Sequence, residues 1–186
     1  MCACTKRYGT LFGALLHTTK FRPEISAAMG LLGACLTFAN DELYDCAMHV
    51  LVYLGRTRSL GVTYSAHPPE APKLRAYADA SWAVTRSVTG FVIMLACGAI
   101  AAVSRRQHCI TMSLCEAELI ALADTAIELI HTSAVVKFFG HSIEGAIEVF
   151  TDSKSAYDLC HRYTSAQNSR HVDRKMHIWW GLLWGG

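Results

Sequence analysis

The sequence lacks several features that would assign it directly to a class. Its eight cysteines contain no C-x-x-C pair, which excludes the usual ligand spacing of zinc knuckles and zinc ribbons. A strong excess of one charge is also missing, because the sequence has 17 Lys and Arg and 15 Asp and Glu. The resulting net charge of +2 is too small to predict a polyanionic partner. The first ten residues carry Lys6 and Arg7, and we expect no signal peptide at the N-terminus. We therefore expect an intracellular protein with reduced thiols.

A charge-free stretch long enough to span a membrane as a helix is absent as well. The stretch from Val88 to Val103 has no charge, but it falls short of the roughly 20 residues that a membrane-spanning helix needs. It contains Gly90, the pair Cys97-Gly98 and several β-branched residues, which favour two buried strands joined by a tight turn. We expect the hairpin and no membrane partner; the alternative is a membrane segment over 88–103.

The chain divides near its prolines. Residues 5–18, 23–38 and 41–54 carry apolar residues at helical spacing, with Gly55 as a terminator of the third helix. A short strand over 60–65 comes next. Three of the four prolines then fall within 66–72. We predict a small helical segment over 1–65, a linker over 66–73 and an α/β domain over 74–186.

The second part alternates strands and helices. Strands are predicted over 74–78, 87–96, 99–105 and 148–151. A long helix should run from a cap at Ser113 to Phe139, a shorter one should cover 153–161, and a last helix is expected over 171–180. This order predicts an α/β fold with flanking helices.

Three acidic residues occupy comparable places in this pattern. Asp79 ends the first strand, Glu118 lies one turn into the long helix, and Asp152 ends the fourth strand. If the first and fourth strands are neighbours, the three carboxylates can converge. An all-oxygen cluster suits Mg²⁺ or Mn²⁺, and two such ions about 4 Å apart activate water and stabilise a leaving oxygen.

Glu116 competes with Glu118 for this position. Ser113 and Glu116 match a capping box, which gives Glu116 a structural task. On a helix the two glutamates lie about 200° apart, so only one of them can face the sheet. Glu118 shares a face with Ala121 and Leu122, which favours it, and a surface position for Glu118 remains the alternative.

Five short motifs occur in a fixed order. They are Tyr77-Ala-Asp-Ala-Ser-Trp82, Arg86-Ser-Val-Thr-Gly-Phe91, Ser113-Leu-Cys-Glu-Ala-Glu118, Phe150-Thr-Asp-Ser153 and Arg170-His-Val-Asp173. Together they resemble the RNase H domain of copia-type LTR retrotransposon Pol polyproteins. Residues 5–65 resemble the C-terminal end of the reverse transcriptase that precedes that domain.

This resemblance implies an RNase H-like mixed sheet, with strands 1–3 antiparallel and strand 4 parallel to strand 1. It implies hydrolysis of the RNA strand of RNA–DNA hybrids, with Asp79, Glu118 and Asp152 as catalytic carboxylates holding two Mg²⁺ or Mn²⁺ ions and with no small-molecule cofactor. Candidate nucleic-acid contacts are Arg105, Arg106, Gln107 and His171; solvated charge at a strand end is the alternative for the first two. The expected partners are the hybrid and the remainder of a Pol polyprotein, in a cytoplasmic virus-like particle.

The resemblance is incomplete at the C-terminus. The family has a further strand and a helix start with a fourth carboxylate, and this sequence ends at Gly186 before both. Asp173 matches a different family position. We therefore expect weak or no cleavage by the isolated chain, and a non-catalytic remnant that binds nucleic acid is the alternative function.

Overall fold

The computed structural model describes residues 3–65, 73–141, 143 and 147–161. The predicted linker over 66–73 lies almost wholly outside these ranges. The predicted helix over 171–180 and the residues His171 and Asp173 also lie outside them. The described elements are α1 (Ala3–Thr18), α2 (Ser26–Gly33), α3 (Asp41–Arg56), β1 (Arg75–Ser81), β2 (Val88–Leu95), β3 (Gly98–Arg106), α4 (Leu114–Phe138), β4 (Glu148–Phe150) and α5 (Lys154–His161), with short 3₁₀ helices at Pro23–Ile25 and Leu36–Phe38.

The four described strands form one mixed sheet in the order β3-β2-β1-β4. β1 and β2 pair antiparallel, as do β2 and β3, whereas β4 lies parallel to β1. This α/β arrangement is compatible with the predicted RNase H-like fold. The turn between β2 and β3 contains Ala96 and Cys97 with φ of 51° and 66°, as a two-residue hairpin turn requires. The hairpin predicted over 88–103 is therefore confirmed.

One face of the sheet is buried beneath α4. Phe91 and Ile93 of β2 pack with Ala76 of β1 and Leu129 of α4. Nearer the start of α4, alanines at 78 and 80 on β1 and at 117 and 121 on α4 are all buried, and side chains this small let the helix approach the strand closely. By length and composition α4 is also apolar enough to span a membrane, but its packing against β1 and β2 accounts for that composition.

The helical segment, residues 3–65, has its own core and also contacts the sheet. Tyr8, Met29 and Ala47, one from each helix, are buried together. α2 packs on β3, where Ser26 Oγ donates to the Ala102 carbonyl oxygen at 3.3 Å. The Tyr64 hydroxyl likewise donates to the Ala99 carbonyl oxygen at 2.8 Å. The helical segment therefore supplies donors to backbone carbonyls of β3.

The structure corrects two of the helices predicted in the helical segment. Residues 23–38 do not form one helix, because α2 ends at Gly33 and the amides of Ala34 and Cys35 bond three residues back to Leu31 and Leu32. Gly55 does not end α3. The helix continues to Arg56, and the Thr57 amide and hydroxyl both donate to the Tyr53 carbonyl oxygen.

The predicted strand over 60–65 is also wrong. Residues 60–65 form no strand, although the Ser65 amide does donate to the Ala96 carbonyl oxygen at 2.9 Å. A single backbone bond is not a strand ladder.

β1 also differs from the prediction, because it continues through Asp79 to Ser81. All seven of its residues pair with β2, whereas only Arg75–Tyr77 pair with β4. Asp79 therefore lies inside the strand, at the place where β4 no longer covers its edge.

Candidate metal site

Three carboxylates come together at the end of the pairing between β1 and β4. Asp79 lies in β1, Glu118 in the first part of α4 and Asp152 two residues beyond β4. One oxygen from each lies within 4.8 Å of the other two. We call these residues the carboxylate cluster.

The geometry of β1 explains how Glu118 of α4 comes close to Asp79, which lies on the other face of the sheet. Ala78 and Ala80 point toward α4, so Asp79 between them points to the other side of the sheet. We call that side, which carries Tyr77, Asp79 and Gly90, the open face. Because β4 stops pairing at Phe150, no described strand covers the outer edge of β1 beyond Tyr77. Glu118 accepts a hydrogen bond from the Ala80 amide there, which brings its carboxylate to the strand edge.

Glu118 is the electrostatically unusual member of the carboxylate cluster. It is only 4% exposed. Burial, and then the charges of Asp79 and Asp152, raise its pKa from the ordinary 4.5 to about 7, and the Ala80 amide opposes that rise. Its Oε2 is buried without a hydrogen-bond partner in the described part of the protein. Oxygen donors with an unsatisfied buried acceptor fit a hard divalent cation such as Mg²⁺ or Mn²⁺.

Glu116, the competitor of Glu118, serves the helix start. Ser113 Oγ accepts from the Glu116 amide at 3.2 Å, and Glu116 Oε2 accepts from the Met112 amide at 2.8 Å. The second bond goes to the residue before the cap, one position earlier than a standard capping box predicts. Glu116 is therefore held at the helix terminus, which leaves Glu118 to face the sheet.

The end of β4 is stabilised by hydroxyl groups. Thr151 Oγ1 accepts from the Ser153 amide at 3.2 Å, and Ser153 Oγ accepts from the Ala156 amide at 3.3 Å. The second contact is an N-cap for α5, as the sequence predicts. Asp152 lies between Thr151 and Ser153, in a turn whose backbone is held by these two hydrogen bonds.

The three predicted nucleic-acid contacts that lie in the described part of the chain are not grouped together. Arg105 points to the α4 side of the sheet and pairs with Asp124 at 3.3 Å. Arg106 is exposed at the end of β3 and lies opposite Val88, which in turn lies opposite Ser81 of the open face. Its side chain therefore stands on the same face as Asp79.

Gln107 requires a correction. It is 2% exposed, and its Nε2 donates to Thr89 Oγ1 at 3.1 Å and to the Ala117 carbonyl oxygen at 2.9 Å. A buried amide with both donors occupied does not contact a phosphate. Gln107 instead ties the end of β3 to the first turn of α4, next to Glu118.

Gln107 belongs to a buried polar network that sequence reasoning missed. The backbone amide of Gln107 donates to the Ser87 carbonyl oxygen at 2.8 Å, and Ser87 Oγ lies 2.7 Å from Thr111 Oγ1. Trp82 Nε1 donates to the Thr111 carbonyl oxygen at 3.3 Å. These bonds join the segments on either side of the β2–β3 hairpin to the start of α4. Ser87 at the start of a predicted strand, and Thr111 and Gln107 in predicted loops, give no sequence signal of burial.

Comparison with known proteins gives relatives over most of the chain. A retrovirus-related Pol polyprotein from transposon TNT 1-94 of Nicotiana tabacum is 29% identical over 176 residues, covering 91% of this chain and 13% of that protein. The Pol polyprotein from transposon RE2 of Arabidopsis thaliana is 25% identical, covering 92% of this chain and 12% of its own length. An uncharacterized mitochondrial protein of Arabidopsis thaliana is 33% identical over 133 residues, 68% of this chain and 54% of that protein.

The chain thus spans about an eighth of the two Pol polyproteins it matches. No protein-family model matches it. The relatives support a retrotransposon origin in a Pol polyprotein of the copia type.

Proposed function

We propose, on the premise that the chain derives from a retrotransposon Pol polyprotein, that it is an RNase H-like nuclease acting on the RNA strand of RNA–DNA hybrids. Asp79, Glu118 and Asp152 would hold two Mg²⁺ or Mn²⁺ ions. The observation that carries the proposal is the convergence of three carboxylates from separate elements to within 4.8 Å, with one buried oxygen that has no hydrogen-bond partner among the described residues. A cluster of like charges is unfavourable by itself, and a bound cation reverses that energy.

The residues of the carboxylate cluster have different positions and therefore different tasks. Asp79 stands inside a paired strand, which fixes the position of its backbone. Glu118 is buried and oriented by the Ala80 amide, and Asp152 is exposed and faces solvent beside it. When bound, divalent ions supply activation of water and charge stabilisation at the leaving oxygen of a phosphodiester. The protein needs no nucleophilic side chain for this reaction.

Arg106 extends the proposal toward the substrate. It is an exposed cation on the open face, beyond the carboxylate cluster along the same strands. Arginine in such a place neutralises phosphate charge and fixes the register of a nucleic-acid strand without reading its sequence. The carboxylate cluster would then act on a phosphodiester that Arg106 helps to hold.

The test is hydrolysis of a labelled RNA–DNA hybrid by the full chain in Mg²⁺, with EDTA as the metal-free control. We expect Asp79→Asn and Asp152→Asn each to abolish cleavage. Asp45→Asn is the matched control, because Asp45 is an exposed aspartate on α3 in the helical segment. Cleavage that survives Asp152→Asn at the wild-type rate would contradict the proposed site.

A further inference from the structure

Gly90 occupies a central position on the open face. It pairs directly with Asp79 on one side and with Ser104 on the other, so the three residues form a row across β1, β2 and β3. In an antiparallel sheet, directly paired residues point to the same face. A side chain at position 90 would therefore stand beside the carboxylate of Asp79.

The fold does not require glycine at this position. A Cβ atom built on Gly90 meets nothing closer than the Asp79 carbonyl oxygen at 3.8 Å, which is ordinary contact, and its φ lies outside the left-handed region. Gly30 of α2 is the opposite case, because a Cβ there would lie 2.5 Å from the Ser104 carbonyl oxygen. Glycine inside a strand weakens the strand and often marks a place where a ligand approaches closely.

Gly90 lies between two bordering features of the sheet. On the β3 side α2 packs over Ser104, as the close approach of Gly30 shows. On the β1 side stands the carboxylate cluster. With neighbouring strands about 4.8 Å apart, Asp79 and Ser104 lie roughly 10 Å from each other, and Gly90 forms the floor between them.

We infer that Gly90 is the floor of the substrate groove and that the sugar–phosphate backbone of the RNA strand crosses it to reach Asp79. This inference rests on the proposed function and adds a residue that controls substrate access without binding the metal. A side chain at this position fills the groove while leaving the three carboxylates in place. Its effect should therefore fall on hybrid binding and not on the ions or the fold.

The test compares Gly90→Ala and Gly90→Val in the full chain. Hybrid affinity is measured by fluorescence anisotropy, Mn²⁺ affinity by calorimetry and stability by thermal unfolding. We expect Gly90→Val to weaken hybrid binding at least tenfold and Gly90→Ala to weaken it less. Mn²⁺ affinity should stay within twofold of wild type, and the unfolding midpoint should be unchanged or higher.

Matched controls introduce the same alanine and valine side chains at glycines outside the sheet. Gly55→Ala and Gly61→Val place them at glycines with nothing within 4 Å, both in the helical segment, and should leave hybrid affinity unchanged. If Gly90→Val binds the hybrid as tightly as the wild type does, this inference is wrong, but the proposed function still stands. A wild-type chain that binds neither Mn²⁺ nor hybrid would overturn the proposed function and this inference together.

Discussion

Replacing Glu118 by glutamine should stabilise the metal-free protein at pH 8. The carboxylate is 4% exposed, lies beside two other carboxylates and has one oxygen without a partner among the described residues. An amide of the same shape removes the buried charge and can donate to Asp79 or Asp152. Loss of an acidic residue that bonds to the backbone normally lowers the free energy of unfolding. For Glu118→Gln we expect the free energy of unfolding to rise instead.

The magnitude follows from the pKa. A rise from 4.5 to about 7 makes the ionised form of Glu118 about 3 kcal/mol less favourable in the folded protein than in the unfolded chain. Because the folded pKa is the higher one, the folded state binds the proton more tightly. The stability contributed by this proton is complete below pH 4.5 and is lost as pH rises through 7. Glu118→Gln should therefore match wild type near pH 4 and exceed it by up to about 3 kcal/mol at pH 8.

The measurement is urea unfolding of both proteins between pH 4 and pH 8 in EDTA, followed by repetition in saturating Mg²⁺. A bound ion stabilises the wild type by about 2.7 kcal/mol at 100 times its dissociation constant, and the variant should gain much less. Glu128→Gln on the same helix is the control, with no pH-dependent difference expected. A Glu118→Gln protein no more stable than wild type at pH 8, or equally stabilised by Mg²⁺, would refute this account of the site.

Three further substitutions test other parts of the structure. Arg106→Ala should weaken hybrid binding several-fold and lower the slope of log affinity against log salt by about one, as measured by anisotropy over a salt series. Gly30→Ala should reduce the free energy of unfolding by about 1–3 kcal/mol, because the new methyl group meets the Ser104 carbonyl oxygen, whereas Gly9→Ala in α1 meets nothing and should not destabilise. Gln107→Leu removes the buried hydrogen bonds to Thr89 Oγ1 and the Ala117 carbonyl oxygen and should cost about 1–3 kcal/mol in urea unfolding.

The sequence predicted the sheet well because its strands carry strong local signals. The charge-free stretch from Val88 with a glycine after Cys97 is typical of a hairpin, and Ser113 with Glu116 is typical of a helix start. Such signals act over a few residues, so they can be read without knowledge of the fold. The convergence of Asp79, Glu118 and Asp152 could be stated only conditionally, because it depends on β1 and β4 being neighbours.

The errors arose where tertiary contacts override local pattern. Gln107 looks like an exposed residue after two arginines, but its amide bonds to Ala117 in the core. Asp79 was placed at a strand end because β1 was predicted too short, whereas pairing with β2 continues to Ser81. In each case the deciding partner is not specified by the local pattern.

The hydrogen-bond donors that the helical segment supplies to β3 determine where the chain can be truncated for expression. Outer strands with bare carbonyl and amide groups recruit strands from other chains. Ser26 and Tyr64 occupy two of the carbonyls of β3 and so act as a built-in shield against such self-association. A piece trimmed to the sheet and its two helices would lose that shield, and soluble preparations should therefore retain the first 65 residues.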